Sequence, residues 1–270
     1  MKRSKWLIIE IVAAIILVVL VLFFVKRKME DRKYLEEQQK LQVSIKSVAS
    51  EEVKINDTHE SDLTDKQNQL EEDLQRRELE KIERENNISK RMYSELNKEF
   101  NSVLAIIEIP NSNILFPIVQ GEDNEFYLNH GKDGEYHPFG EVFLDYINKP
   151  DFSDYNTVIY GHNIRSAKAI FNALLHYENQ EYYDMHKFIK IHNGDGLSTY
   201  QVVSVFRADP DENYREVSFK SDKDFNAFLD EYHKRSVVQT DPITGDNMIT
   251  LSTCFTNDDR LVIQAVKINR

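Results

Sequence analysis

The chain has 270 residues, of which 41% are hydrophobic and 30% charged, and its formal net charge is −12. That acidic balance argues against nucleic-acid binding, which needs a concentrated basic surface. The sequence holds no Cys/His cluster with zinc spacing, no EF-hand loop and no glycine-rich phosphate loop, so no metal or nucleotide cofactor is expected.

Residues 1–5 form a short basic tail, and Trp6–Val25 is an apolar run broken only by Glu10. At ~1.5 Å per residue a helix of this length spans ~30 Å, one hydrocarbon core. A cleaved secretory signal has a shorter apolar region and a small-residue cleavage site. This run instead exits into Lys26-Arg27-Lys28, so a retained single-pass anchor is expected. Lys2, Arg3 and Lys5 precede it, whereas Lys26, Arg27, Lys28, Arg32 and Lys33 come after it. By basic count alone the C-terminal side would face the cytoplasm.

Residues 26–66 are polar, with few aromatics, and read as a stalk unable to bury enough apolar area to order itself. From Gln67 to Phe100 the residues are good helix formers. Leu63, Leu70 and Leu74 hint at heptads, but the seam lapses at Arg77 and Lys81, too soon for a sustained coiled coil. A helix is expected whose last turns, around Tyr93, Leu96 and Phe100, dock on the β-rich part of the chain. Residues 26–87 are thus assigned as charged stalk and helical linker, and 88–270 as one domain.

Within that domain eight short β-rich runs alternate with Gly/Pro/Asn/Asp clusters. They are Val103–Ile109, Ile114–Val119, Val142–Asp145, Thr157–Tyr160, Phe188–His192, Tyr200–Arg207, Met248–Thr253 and Leu261–Ile268. Two helical patches interrupt them. One is Ala167–Leu175, with Ile170, Phe171 and Leu174 on a face. The other is Asp222–Arg235, where Phe225, Phe228, Leu229 and Tyr232 recur at helical spacing. Ser221 and Asp224 form a candidate capping box for the second. The expected fold is mostly β: an eight-stranded barrel with an N-terminal helix and a helix between the sixth and seventh strands.

Two strand ends carry chemistry. The only cysteine, Cys254, closes Met248-Ile249-Thr250-Leu251-Ser252-Thr253. With no intramolecular disulfide partner, it is an inert core residue, an intermolecular crosslink or a nucleophile. His162 comes after the apolar run Thr157-Val158-Ile159-Tyr160 through Gly161, while the other histidines are scattered without ligand spacing. If the last two strands pair, Cys254 and Arg260 flank one turn. A thiolate to attack a carbonyl, an imidazolium to protonate a leaving amine and a guanidinium for the oxyanion make a complete acyl-transfer set. No Asp or Asn lies at a spacing that marks it as orienting His162, and Asn163 adjoins it too closely in sequence to be assigned.

Thr250-Leu251-Ser252-Thr253-Cys254, Gly161-His162-Asn163 upstream and strand-initial Arg260 resemble the sortase family, over roughly residues 100–270. The helix at Asp222–Arg235, the helix ahead of the barrel and Val142-Phe143-Leu144-Asp145-Tyr146 are similar to class B. The resemblance implies a membrane-anchored cysteine transpeptidase that cleaves a C-terminal sorting signal after threonine and passes the surface protein, through a thioester, to a cell-wall amine of the peptidoglycan precursor. Cys254 would be the nucleophile, His162 the general acid and base, and Arg260 the oxyanion group. Asn124, Leu128, Ser252 and Thr253 would line the peptide groove. The catalytic domain would lie on the extracellular face with the N-terminus inside, against the basic count.

A pilin polymerase using a lysine amine is the alternative within the family. Its usual lid motif, Asp-Pro-aromatic, is absent: Asp209-Pro210 and Asp241-Pro242 lie elsewhere and lack the aromatic. An L,D-transpeptidase would place histidine just ahead of the cysteine, which this chain does not. A catalytically silent surface-binding module is the reading from outside enzymology, and the intact His, Cys and Arg speak against it.

Overall fold

The computed structural model of the protein describes residues 26, 28–46, 65–241, 244–254 and 259–268. These residues fall into two compact units that divide between Ser44 and Ile45. The expected anchor, Trp6–Val25, lies outside the described residues, among which no helix is long and apolar enough to cross a membrane.

Residues 28–46 form a helix, α1, where low apolar content pointed to an unordered stalk. Helix propensity outweighs that signal. Glu, Gln, Lys, Arg and Leu are all strong formers, and Lys26–Glu30 and Lys33–Glu37 pair one turn apart at 3.9 and 3.6 Å. Each such pair adds ~0.2–0.5 kcal/mol.

Helix α2 (Asp65–Glu99) docks on the barrel through Ser89, Met92 and Leu96, all buried. Its polar residues fix the docking. Asn97 Nδ2 donates to Val103 O at 2.9 Å, and Asn86 Oδ1 accepts from Leu197 N at 2.9 Å. His192 bridges Ser89 Oγ (3.1 Å) and Glu108 Oε2 (3.0 Å). The helix therefore reaches the barrel two residues before position 88. A docking face that begins with an asparagine leaves no trace in an apolar pattern.

Ten strands among the described residues come next: β1 (Val103–Glu108), β2 (Leu115–Gln120), β3 (Val142–Leu144), β4 (Asn156–Tyr160), β5 (Asn163–Ile164), β6 (Ala169–Ile170), β7 (Phe188–Asn193), β8 (Gly196–Ala208), β9 (Met248–Cys254) and β10 (Arg260–Lys267). Eight close a barrel in the order β1-β2-β3-β4-β9-β10-β8-β7, matching the eight expected runs. Val/Ile/Leu-rich segments that are buried on both faces suit a barrel clad in helices. Ile107, Ile118, Val158, Val205, Leu251 and Ile263 are all fully buried.

The patch at Ala167–Leu175 is not one helix. β5 and β6 form a hairpin, with Asn163 opposite Ile170, and a 3₁₀ helix (Phe171–Glu178) starts after it. Positive φ at Lys168 (49°) and Ile170 (55°) turns the chain too sharply for a helix to run through. Phe171 and Leu174 are buried as the apolar face requires.

After the six-residue helix α3 (Gln180–Met185) come β7 and β8, and then α4 (Asp222–His233). Ser221 caps α4: its Oγ accepts from Asp224 N at 3.3 Å and donates to the Asp224 carboxylate at 2.9 Å. Phe225, Leu229 and Tyr232 are buried against Val203, Met248, Val266, Phe206 and Val262, with Phe228 half-buried between the two clusters. Tyr214, in a single 3₁₀ turn (Asn213–Arg215), is held in the same packing.

Candidate active site

Two strand pairings build the site. β9 runs antiparallel to β10 with Cys254 opposite Arg260, and parallel to β4 with Ser252 opposite Tyr160. The β4 contact continues past the strand, where Gly161 N donates to Ser252 O at 3.3 Å. Carried two residues past the end of β4, the same register would set His162 against Cys254. Gly161 is required there because the Phe171 ring would stand 2.6 Å from a Cβ at that position.

His162 Nε2 lies 2.8 Å from Leu128 O. A carbonyl only accepts, so Nε2 is the donor of this bond. Leu128 ends a 3₁₀ turn, Phe126–Leu128, whose entry is fixed by Asp123: its Oδ1 accepts from Glu125 N and Phe126 N, both at 2.9 Å. Those two amides hold the Asp123 carboxyl below its ordinary pKa. From beneath, Glu141 N donates to Tyr127 O at 3.0 Å. Gly140, at φ +61°, lies flat against the Tyr127–Leu128 peptide, where a Cβ would stand 2.2 Å from Tyr127 O.

The cleft measures about 200 Å³, and Asn124, Leu128, His162, Ser252, Thr253 and Arg260 all line it. These are six of the seven site residues that the resemblance implies; the seventh, Cys254, ends β9 opposite Arg260. Thr253 Oγ1 is buried and has no hydrogen-bond partner among the described residues. Arg260 is half-buried and donates through Nη1 to Asp259 O at 3.3 Å.

Several cleft residues are given no site role by the sequence. Tyr160, Phe143, Pro210, Tyr214 and Arg215 also line it. Tyr160 donates its hydroxyl to Asp145 Oδ2 at 2.7 Å, and Asn124 Nδ2 donates to the same oxygen at 3.0 Å. Burial first, and then the Asp145 charge, pushes the Tyr160 phenol well up, so it stays protonated as a donor. Tyr214 OH lies 2.9 Å from Ser252 Oγ. Asn163, the polar neighbour in sequence, is engaged with Asn172. Its Oδ1 accepts from Asn172 Nδ2 at 2.7 Å, and the Leu128 carbonyl contacts the His162 ring.

A closed eight-stranded barrel that brings a cysteine-bearing strand end, a histidine and an arginine to one cleft defines a thiol-dependent acyl-transfer architecture. The sortase domain family matches residues 107–268. Sortase B of Listeria monocytogenes is 34% identical over 183 residues, which cover 65% of this chain and 72% of that protein. The solved Staphylococcus aureus sortase B–substrate complex superposes with a TM-score of 0.63 at 28% identity, over 76% of this chain and 98% of its own. A sortase B structure complexed with triglycine gives 0.63 at 28%, over 76% and 99%. The chain belongs to the sortase family of cysteine transpeptidases, within its class B.

Proposed function

We propose that the protein, held to a membrane by Trp6–Val25 with its N-terminus inside, joins surface proteins to a cell-wall amine on the extracellular face. The donor is a protein with a C-terminal sorting signal containing threonine, bound along Asn124, Leu128, Ser252 and Thr253. The acceptor is an amine of the peptidoglycan precursor. Structures of sortase B with a substrate and with triglycine support a peptide donor and an amine acceptor for a chain this similar.

In this reading the Cys254 thiolate adds to the carbonyl carbon of threonine. The carbonyl π pair moves to oxygen, and the Arg260 guanidinium donates to that oxyanion. Collapse of the tetrahedral species breaks the C–N bond, and His162 delivers its proton to the leaving amine. The product half stays on Cys254 as a thioester. An incoming amine gives its proton to the now neutral His162 as it attacks, and its collapse product is an amide plus free thiolate. The proton count closes over the cycle.

One observation carries the reading: β9 sets Cys254 opposite Arg260, and His162 and Arg260 line the cleft that the neighbouring Ser252 and Thr253 also line. The protein incubated with a Thr-containing sorting peptide and triglycine should yield the peptide fragment ending in threonine joined to glycine. Hydrolysis alone, unaffected by triglycine at any concentration, would remove the transfer step.

A further inference from the structure

Among the described residues lining the cleft, Arg215 is a cation that the reaction above does not use. Arg215 is solvent-exposed, yet its backbone is firmly anchored. Fully buried Asn156 donates through Nδ2 to Tyr214 O (3.2 Å) and Glu216 O (2.9 Å), the carbonyls on either side of it. Asn156 Oδ1 in turn accepts from Thr250 Oγ1 at 2.7 Å, so the nucleophile strand itself fixes the strap. Tyr214 adds a second tie through Ser252 Oγ. An exposed side chain gains little stability from such anchoring, whereas a side chain that must meet a ligand gains position.

The charge pattern gives the ligand's class. The chain carries net charge −12, but among the described residues lining the cleft there are Arg215, Arg260 and His162 and no carboxylate. Asp145 sits behind Tyr160, with Oδ2 taken by Tyr160 and Asn124 and Oδ1 by Ile147 N. Arg215 donates from Nη2 to Pro210 O at 2.7 Å, and also reaches the Tyr160 hydroxyl. A guanidinium has five N–H donors, so donors remain.

We propose that Arg215 is a specificity-determining residue that receives a carboxylate of the substrate pair. Either the sorting peptide beside its threonine or the amine acceptor presents that carboxylate. The assignment rests on the transpeptidation reading above and names what the site prefers. A planar fork meeting a carboxylate in two parallel hydrogen bonds is the strongest use of an exposed arginine.

The test has two arms. In the first, peptides differing only by Glu, Gln or Lys at each position upstream of threonine are cleaved in water, without an amine. In the second, one neutral peptide is transferred to an amine bearing a carboxylate or to its amide. Each arm is read as a kcat/KM ratio within a variant, so a general loss of activity cancels. Wild type should favour the carboxylate on the order of tenfold, the scale of one charge-assisted hydrogen bond. Arg215→Gln should collapse the ratio, Arg215→Glu should invert it and Arg215→Lys should keep its sign. The arm that responds identifies the source. Ratios near one in both arms, or ratios untouched by Arg215→Glu, overturn the assignment and leave the transpeptidase standing. Failure of wild type to cleave any peptide overturns the transpeptidation reading and this assignment with it.

Discussion

His162 Nε2 stands 2.8 Å from the carbonyl oxygen of Leu128, a residue 34 positions earlier in the chain. The histidine is thus oriented by backbone, and the stiffness of a loop takes the place of a carboxylate. A carbonyl oxygen only accepts, so the contact fixes the ring at that one nitrogen. A ring held in this way suits the general acid and base proposed above for His162.

Gly140→Ala tests this arrangement at a distance from the chemistry. A Cβ there would meet Tyr127 O at 2.2 Å and the Leu128 carbonyl carbon at 2.7 Å, at a φ of +61°. The loop must shift, and the carbonyl that holds His162 moves with it. Stability should fall by ~1–2 kcal/mol from the left-handed backbone alone. The kcat should fall more steeply than KM rises, approaching within tenfold the ~10²–10⁴ loss expected of His162→Ala. Steady-state kinetics with a sorting peptide separates the two constants, and an unchanged kcat would detach Leu128 from His162.

Much of this is legible in the sequence, and the residues show why. All eight barrel strands come from β-rich runs between turn residues, buried almost throughout in β2 and β4 and interrupted by polar, part-exposed positions in β7 and β8. Helix α4 comes from Phe225, Phe228, Leu229 and Tyr232. The hairpin at 163–170 is hidden, since Ile170-Phe171 suits helix and strand alike and only the left-handed φ at Lys168 and Ile170 separates them. Helix α1 escapes notice because composition reports burial better than it reports local propensity. In the cleft, residues next to a chemical signature stand out. Tyr214 and Arg215 do not, because they arrive from a distant turn through hydrogen bonds to Asn156. No local pattern records a contact of that kind.

Asn156 should therefore matter more than an asparagine at the start of a strand suggests. Asn156→Ala strands two carbonyls and the Thr250 hydroxyl at a fully buried position. At ~1–3 kcal/mol for a buried group left unpaired, a loss of about 3 kcal/mol or more is expected after relaxation. Asn156→Asp should be nearly as damaging, since a carboxylate cannot donate to the two carbonyls. Denaturant unfolding reads both variants, and a loss below ~1 kcal/mol for either would contradict the strap.

Glu141 gives a pH-dependent prediction. It is 2% exposed, beneath Tyr127, and burial pushes its carboxyl up from 4.5 to about 7 despite the Lys132 charge and backbone donors from Val142 and Lys132, with Asp133 adding to the rise. A raised acid pKa means that the folded state keeps a proton the unfolded state has released. Stability from this group is then complete below pH ~4.5 and falls as pH rises toward 7. At 1.36 kcal/mol per unit the loss is at most about 3 kcal/mol. Glu141→Gln should flatten that segment of the stability–pH curve. Parallel curves for variant and wild type between pH 4.5 and 8 would show that Glu141 is ionised throughout.

The central claim is that Cys254 carries the substrate as a thioester. Intact-mass spectrometry of the protein quenched in acid during turnover of a sorting peptide tests it most directly. The account predicts one adduct per chain, equal in mass to the peptide fragment ending in threonine and released by hydroxylamine as the hydroxamate. Cys254→Ala should show neither adduct nor cleavage while keeping its fold, because it removes one sulfur and leaves the strand pairing with Arg260 intact. A Cys254→Ala protein that still cleaves the peptide, or a wild type that turns over with no adduct and forms no hydroxamate in hydroxylamine, would contradict it.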